Sequence, residues 1–133
     1  MNLKVVTRQD HDTEALATVL VDCAFQIHKA MGPGLLERVY EECFKCELTD
    51  RSISFECQKS IPLQYKTHKL DIDYKIDLLV DNKIVVELKS VDRMIDLHQA
   101  QIVSYMRLTG MPLGLLINFN VPLIKDGIKR IVL

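Results

Sequence analysis

Asp77 ends the stretch Tyr74-Lys75-Ile76-Asp77, and Glu87 and Lys89 end Val85-Val86-Glu87-Leu88-Lys89. Glu87 and Lys89 are two apart, so on a strand both project from one face. Ile84, Val86 and Leu88 then project from the other face, into a core. A carboxylate and an ammonium thus stand side by side at the end of a strand that otherwise reads as buried. Two carboxylates on neighbouring strands form a hard-oxygen site suited to Mg²⁺ or Mn²⁺. A nearby lysine can orient or deprotonate an attacking water and offset phosphate charge. Acid-x-Lys is also a common tripeptide, and the same residues serve equally well as a cross-strand Glu–Lys pair on a surface hairpin.

Register decides between these readings. A two-residue loop at Asp81-Asn82 pairs 80 with 83 and so 77 with 86, which puts Asp77 and Glu87 on opposite faces. An odd loop, or one bulge, pairs 77 with 87 and brings the carboxylates together. A metal site therefore requires a three- or five-residue loop or a bulge, and one is predicted here.

Further along, His98, Gln101 and Tyr105 fall at i, i+3 and i+7, one face of a helix. The Gln–Tyr pair offers an amide and a phenol able to hold phosphate oxygens or a base. A boundary face on which Tyr105 packs and Gln101 meets water accounts for the same spacing, and His98 alone fits an exposed or structurally bonded histidine. Upstream, Gly34-Leu35-Leu36-Glu37-Arg38-Val39-Tyr40 sets Glu37 beside the apolar stripe of a helix. There it can reach a site at the sheet's edge, or simply favour the helix dipole from the first turn.

The elements that must position these groups follow from periodicity. Residues 1–10 are expected to form a short irregular arm. Leu16, Val19, Leu20, Cys23, Ile27 and Ala30 predict a helix from about Asp12 to Met31, capped by Asp12 or Thr13 and stopped at Gly32-Pro33-Gly34. A second helix spans about Leu36 to Arg51, with Leu36, Val39, Tyr40, Cys43, Phe44 and Leu48 as its stripe. Alternation then predicts strands around 53–57 and 61–65, a turn at Thr67-His68-Lys69, and strands at 72–80 and 83–90. Asp92 is the expected cap of a third helix over about 95–108, ended by Gly110. Leu113–Asn118 suits a central strand covered on both faces, and 128–133 a last one. This order predicts an α/β fold: a mixed sheet with helices packed on it and a parallel crossover through the third helix.

The chain has 133 residues, 48% hydrophobic and 26% charged, which fits one globular domain. No apolar run approaches the ~18–20 residues of a membrane span. Met1-Asn2-Leu3-Lys4 leads straight into mixed polar sequence, unlike a secretory leader, so a cytoplasmic protein is expected. Eighteen acids against seventeen bases give a net charge of −1. That argues against coating nucleic acid through bulk positive charge, though not against a local basic groove. Cys43-Phe44-Lys45-Cys46 reads CxxC, but inside a helical pattern, without a second CxxC or a Cys–His tail. Zinc is not expected, since structural zinc pairs sit on turns or knuckles. Reduced, partly buried thiols are.

Taken in order, Gly34-x-x-Glu37-x-x-Tyr40, Asp77, Glu87-Leu88-Lys89 and Gln101-x-x-x-Tyr105 resemble the motif series of the PD-(D/E)xK nuclease superfamily. They are most similar to its RecB-like branch and the small bacterial GxxExxY proteins. The likeness covers about residues 15–133. It implies a restriction-endonuclease-like core, a mixed central sheet flanked by helices. It implies that Asp77 and Glu87, with the backbone carbonyl of Leu88, ligate Mg²⁺, for which Mn²⁺ substitutes. Glu37 would complete the cluster, directly or through a water. Lys89 would position or activate the nucleophilic water, and Gln101 and Tyr105, with His98 on their face, would orient the substrate strand or hold Lys89 in place. The implied reaction is in-line phosphodiester hydrolysis.

The sequence departs from the branch at Tyr74, where a glycine often precedes the motif aspartate by three. No cysteine follows Cys57, so the iron–sulfur cluster of some RecB-like nucleases is not expected. The implied partner is nucleic acid, DNA before RNA, and not a membrane. Target choice is expected to come from a protein partner, from a homodimer or from little selectivity. A nuclease-fold module that binds nucleic acid or protein without cutting is the alternative. Its weakness is that such a module has no need of clustered carboxylates that repel phosphate.

Overall fold

The computed structural model describes the backbone of residues 8–133 and the side chains from Asp12 onward. Helix α1 spans Arg8–Met31 and α2 Glu37–Asp50. Strands β1 (Phe55–Tyr65), β2 (His68–Val80) and β3 (Ile84–Lys89) follow, then α3 (Asp96–Thr109), β4 (Leu113–Asn118), a 3₁₀ turn (Ile124–Gly127) and β5 (Ile128–Val132). The five strands form one sheet in the order β1-β2-β3-β4-β5. All neighbours are antiparallel except β3 and β4, which are parallel and joined through α3.

Alternation along β3 and β4 divides the core in two. Ile84, Val86, Leu88, Leu113, Leu115 and Ile117 pack with Leu20, Ile27, Tyr40 and Phe44 of α1 and α2. Val85 and Leu116 pack on the opposite face with Ile102 and Met106 of α3. β4 is buried along its whole length, as its unbroken apolar run predicts.

Several boundaries differ from the sequence reading. Of the expected arm, residues 1–7 lie outside the described residues, while Arg8–Asp10 are already helical, so neither Asp12 nor Thr13 caps α1. Leu36 stands just outside α2 and is 78% exposed, because the stripe that packs is carried by Tyr40, Phe44 and Leu48. Asp92 does not cap α3. Ile95 occupies the N-cap position, and Asp92 instead accepts a bond from Asn120 Nδ2 at 3.1 Å.

The largest difference lies in β1. The two strands expected at 53–57 and 61–65 are one, because the chain does not turn back between them. It turns over instead. Phe55 and Cys57 pack toward α1 and α2, whereas Ile61 packs toward α3. On β2, Leu78 and Ile76 divide the same way. Residues of equal parity reach opposite faces because Gln58, between the rungs Cys57–Leu78 and Lys59–Ile76, has a left-handed backbone with φ +51°. The hairpin turn falls at Lys66-Thr67, between the paired Tyr65 and His68, not at 67–69.

Candidate active site

β2 and β3 are joined by the three-residue loop Asp81-Asn82-Lys83, since Val80 pairs with Ile84. Asp81 and Asn82 are both left-handed, at φ 49° and 50°, a conformation these two residue types tolerate best after glycine. Ser54 Oγ and Lys83 Nζ hold the Asp81 carboxylate at 3.0 and 2.6 Å. The odd loop sets the register Leu78–Val86, and continuing it places Asp77 opposite Glu87, as the metal-site reading requires.

At that rung side chains replace the backbone ladder. The Asp77 N–H donates to Glu87 Oε1 at 3.1 Å, and the Leu88 N–H donates to Asp77 Oδ2 at 2.9 Å. A strand residue sends its N–H and C=O to the same edge. The Leu88 carbonyl therefore opens toward the gap in which Asp77 lies. The neighbouring Lys89 turns its own carbonyl the other way, to the Phe119 N–H at 2.9 Å.

Glu87 is 5% exposed. Burial first, and the adjoining Asp77 carboxylate second, push its carboxyl up to about 9. The Asp77 N–H and the charge of Lys89 oppose this without reversing it. A carboxylate buried beside a second one holds a proton, or a compensating cation, more readily than it stays bare. Tyr105 of α3 packs on the α3 side of the sheet. Its phenol is raised by burial and then by the charges of Glu87 and Asp77.

Glu37 reaches the same place from α2. After α1 the chain passes Gly34 at φ +94°, a backbone that suits glycine. The buried Tyr40 then fixes this loop. Its ring stacks on Phe119 at 4.4 Å, and its hydroxyl donates to Gly32 O at 2.6 Å and accepts from Leu35 N at 3.1 Å. Ser90 Oγ donates to Leu35 O at 2.5 Å from the end of β3. With Tyr40 locked inward, Glu37 one turn earlier faces the opening. Its carboxyl is raised by partial burial. Lys89 pulls it down, Asp77 and Glu41 push it up, and the Ser90 N–H lowers it. Lys89 is half-buried and senses both Glu37 and Glu87, yet closes no ion pair with either.

Glu37 and Asp77 border a cleft of about 520 Å³ between α2 and the β1–β2 ribbon, which Leu88 also lines and Glu87 and Lys89 do not. Arg38, Glu41, Lys45 and Gln58 also line it, and the sequence reading missed all four. Glu41 and Lys45 follow Glu37 at i+4 and i+8, a helical spacing that signals them. Arg38, adjacent to Glu37, and Gln58 had no such signal. Gln101 and Tyr105 border a smaller cleft of about 200 Å³ on the α3 side, with Tyr74. Tyr74 meets Tyr105 edge-on at 5.5 Å. His98 lines neither cleft. Its Nδ1 accepts the Ile95 N–H at 3.2 Å, at the start of α3.

Among the described residues no group of three or more His, Cys, Asp and Glu side chains forms a ready ligand set. The gap offers two side-chain carboxylates and one backbone carbonyl, all hard oxygen donors. Such donors fit a divalent cation of the Mg²⁺ type, which keeps several waters. Beside burial, the neighbouring Asp77 charge raises Glu87, and such an ion would offset that charge. The described thiols are free, with Cys43 and Cys46 inside α2 as expected. No described helix is long and apolar enough to cross a membrane. A family model of the PD-(D/E)XK nuclease superfamily matches residues 14–131. No curated protein and no solved structure matches the chain.

Proposed function

The chain belongs to the PD-(D/E)XK nuclease superfamily, with an α/β restriction-endonuclease-like fold, and on that premise we propose that it is a Mg²⁺-dependent nuclease hydrolysing phosphodiester bonds of DNA. We place it in the RecB-like branch, beside the GxxExxY proteins. The observation that carries this reading is the Asp77–Glu87 rung, where carboxylates stand in for backbone pairing and the Leu88 carbonyl opens beside them.

Asp77, Glu87 and the Leu88 carbonyl would hold the ion, with Glu37 at the rim. When bound, Mg²⁺ supplies Lewis-acid stabilisation of charge on the phosphoryl oxygens and lowers the pKa of a water. Lys89, on the face of β3 that carries Glu87, would orient a water and receive or offer a proton at Nζ. Arg38, which lines the cleft, takes a flanking phosphate as a bidentate donor. The Tyr105 hydroxyl and the Gln101 amide, one turn apart on α3, steer the strand away from the acids.

The test incubates labelled single- and double-stranded DNA and RNA with the protein, with and without Mg²⁺ or Mn²⁺, beside Lys89→Ala and Asp77→Asn. Metal-dependent cleavage of DNA, reduced about 10²-fold or more in each variant, is the expected result. Equal cleavage by the variants means contamination and ends the proposal. A second reading, a module that binds nucleic acid without cutting, is favoured by the lack, among the described residues, of a third acid in the ligand set. Metal-independent binding with no cleavage of any substrate selects it.

A further inference from the structure

Gln58 is exposed, yet its backbone is held left-handed and its side chain is doubly engaged. Its Nε2 lies 2.5 Å from Glu41 Oε1 on α2 and 3.2 Å from Asp77 Oδ1 on β2. A primary amide has two N–H bonds, and here each meets a carboxylate from a different element. Asp77 is thereby gripped at both oxygens, by Gln58 at Oδ1 and by the Leu88 N–H at Oδ2. Each oxygen keeps a lone pair for another partner.

We propose that Gln58 is a positioning residue for the divalent ion, an inference that rests on the metal-dependent reading of this site. A neutral amide between two acids lowers their mutual repulsion without competing for the ion. It fixes the rotamer of Asp77 beside the Leu88 carbonyl, and it ties α2, which bears Glu37 and Glu41, to the β1–β2 ribbon. The left-handed turn at Gln58 that flips the ribbon is also where the side chain joins these two acids. Hydrogen bonds from such outer partners set ligand orientation, and their loss typically weakens metal binding 10- to 100-fold.

The test compares Gln58→Gly and Gln58→Met with the unaltered protein, measuring the Mn²⁺ dissociation constant by titration calorimetry and Tm in EDTA. Glycine accepts the left-handed backbone and removes the side chain, whereas methionine keeps length and removes the N–H donors. Both variants are expected to bind Mn²⁺ about 10- to 100-fold more weakly, with Tm of Gln58→Gly equal to or above that of the parent. Affinity and stability then part, which a purely structural role does not produce. Mn²⁺ binding by Gln58→Gly at parental strength overturns the positioning role and leaves the nuclease reading standing. An unaltered protein that binds no Mn²⁺ overturns both.

Discussion

Replacing Glu87 by glutamine removes a pH dependence that the metal-free protein should carry. In the folded chain the carboxyl is pushed up to about 9, from an ordinary value of 4.5. Between those values the folded state keeps a proton that the unfolded chain has released. Stability is therefore highest at and below about pH 4.5 and falls as pH rises toward 9. One pKa unit corresponds to about 1.36 kcal/mol. With some relaxation around the buried carboxylate, the loss between pH 5 and 8 is roughly 2–4 kcal/mol. For a chain of this length that lowers Tm by about 6–16 °C. Glutamine reproduces the protonated shape, with an amide N–H where the proton sat, and bears no charge at any pH. Thermal unfolding by circular dichroism, in EDTA from pH 5 to 8, should show a steep decline for the parent and a shallower one for Glu87→Gln. The partly buried Glu37 contributes in the same direction to both chains, so the difference between the curves isolates residue 87. Mn²⁺ should flatten the parent curve by replacing the proton, and leave the variant curve unmoved. Parallel curves for the two chains in EDTA would refute the burial argument for the acid pair.

Tyr40→Phe keeps the stack on Phe119 but strands Gly32 O and Leu35 N. It should lower stability by about 1–3 kcal/mol, read as a shift of the urea midpoint, and an unchanged midpoint would show that the hydroxyl does not shape the loop before Glu37. Asn118→Ala should cost about 2–4 kcal/mol, because the buried amide accepts from Val91 N at 3.1 Å and Asn120 N at 3.2 Å and donates to Val91 O at 3.0 Å. Faster amide exchange at Val91 and Asn120, measured by NMR, is its local signature, and protection like the parent's would assign those bonds elsewhere.

What the sequence made legible was mostly local. The helix expected over about 95–108 lies at Asp96–Thr109, and the second, expected at Leu36 to Arg51, at Glu37–Asp50. In both, an apolar stripe at 3.6-residue spacing and a following glycine or turn suffice. β4 coincides with its apolar run for the same reason. The misses share another cause. Asp92 is an excellent cap by type, but its carboxylate is occupied by Asn120, 28 residues away. β1 alternates correctly in sequence and still changes faces, because one backbone dihedral at Gln58 resets which side each parity meets. Neither a distant partner nor a left-handed glutamine leaves a trace in spacing or propensity.

The acid pair sits between these cases. Type and spacing named Asp77 and Glu87 but left their meeting to one integer, the residue count of the loop. That count is set by residues that read as an ordinary turn. Asp81 and Asn82 accept the left-handed backbone, Lys83 closes onto Val80 O at 2.9 Å, and Ser54 anchors Asp81 from just before β1. One residue fewer would shift the register and send Asp77 to the opposite face from Glu87. The proposed chemistry thus depends on a turn well away from it along the strands. Sheet register transmits that choice without loss, since hydrogen-bonded strands slip only by whole residues. At the site the ladder yields to side chains, and the strands part where an ion would need room.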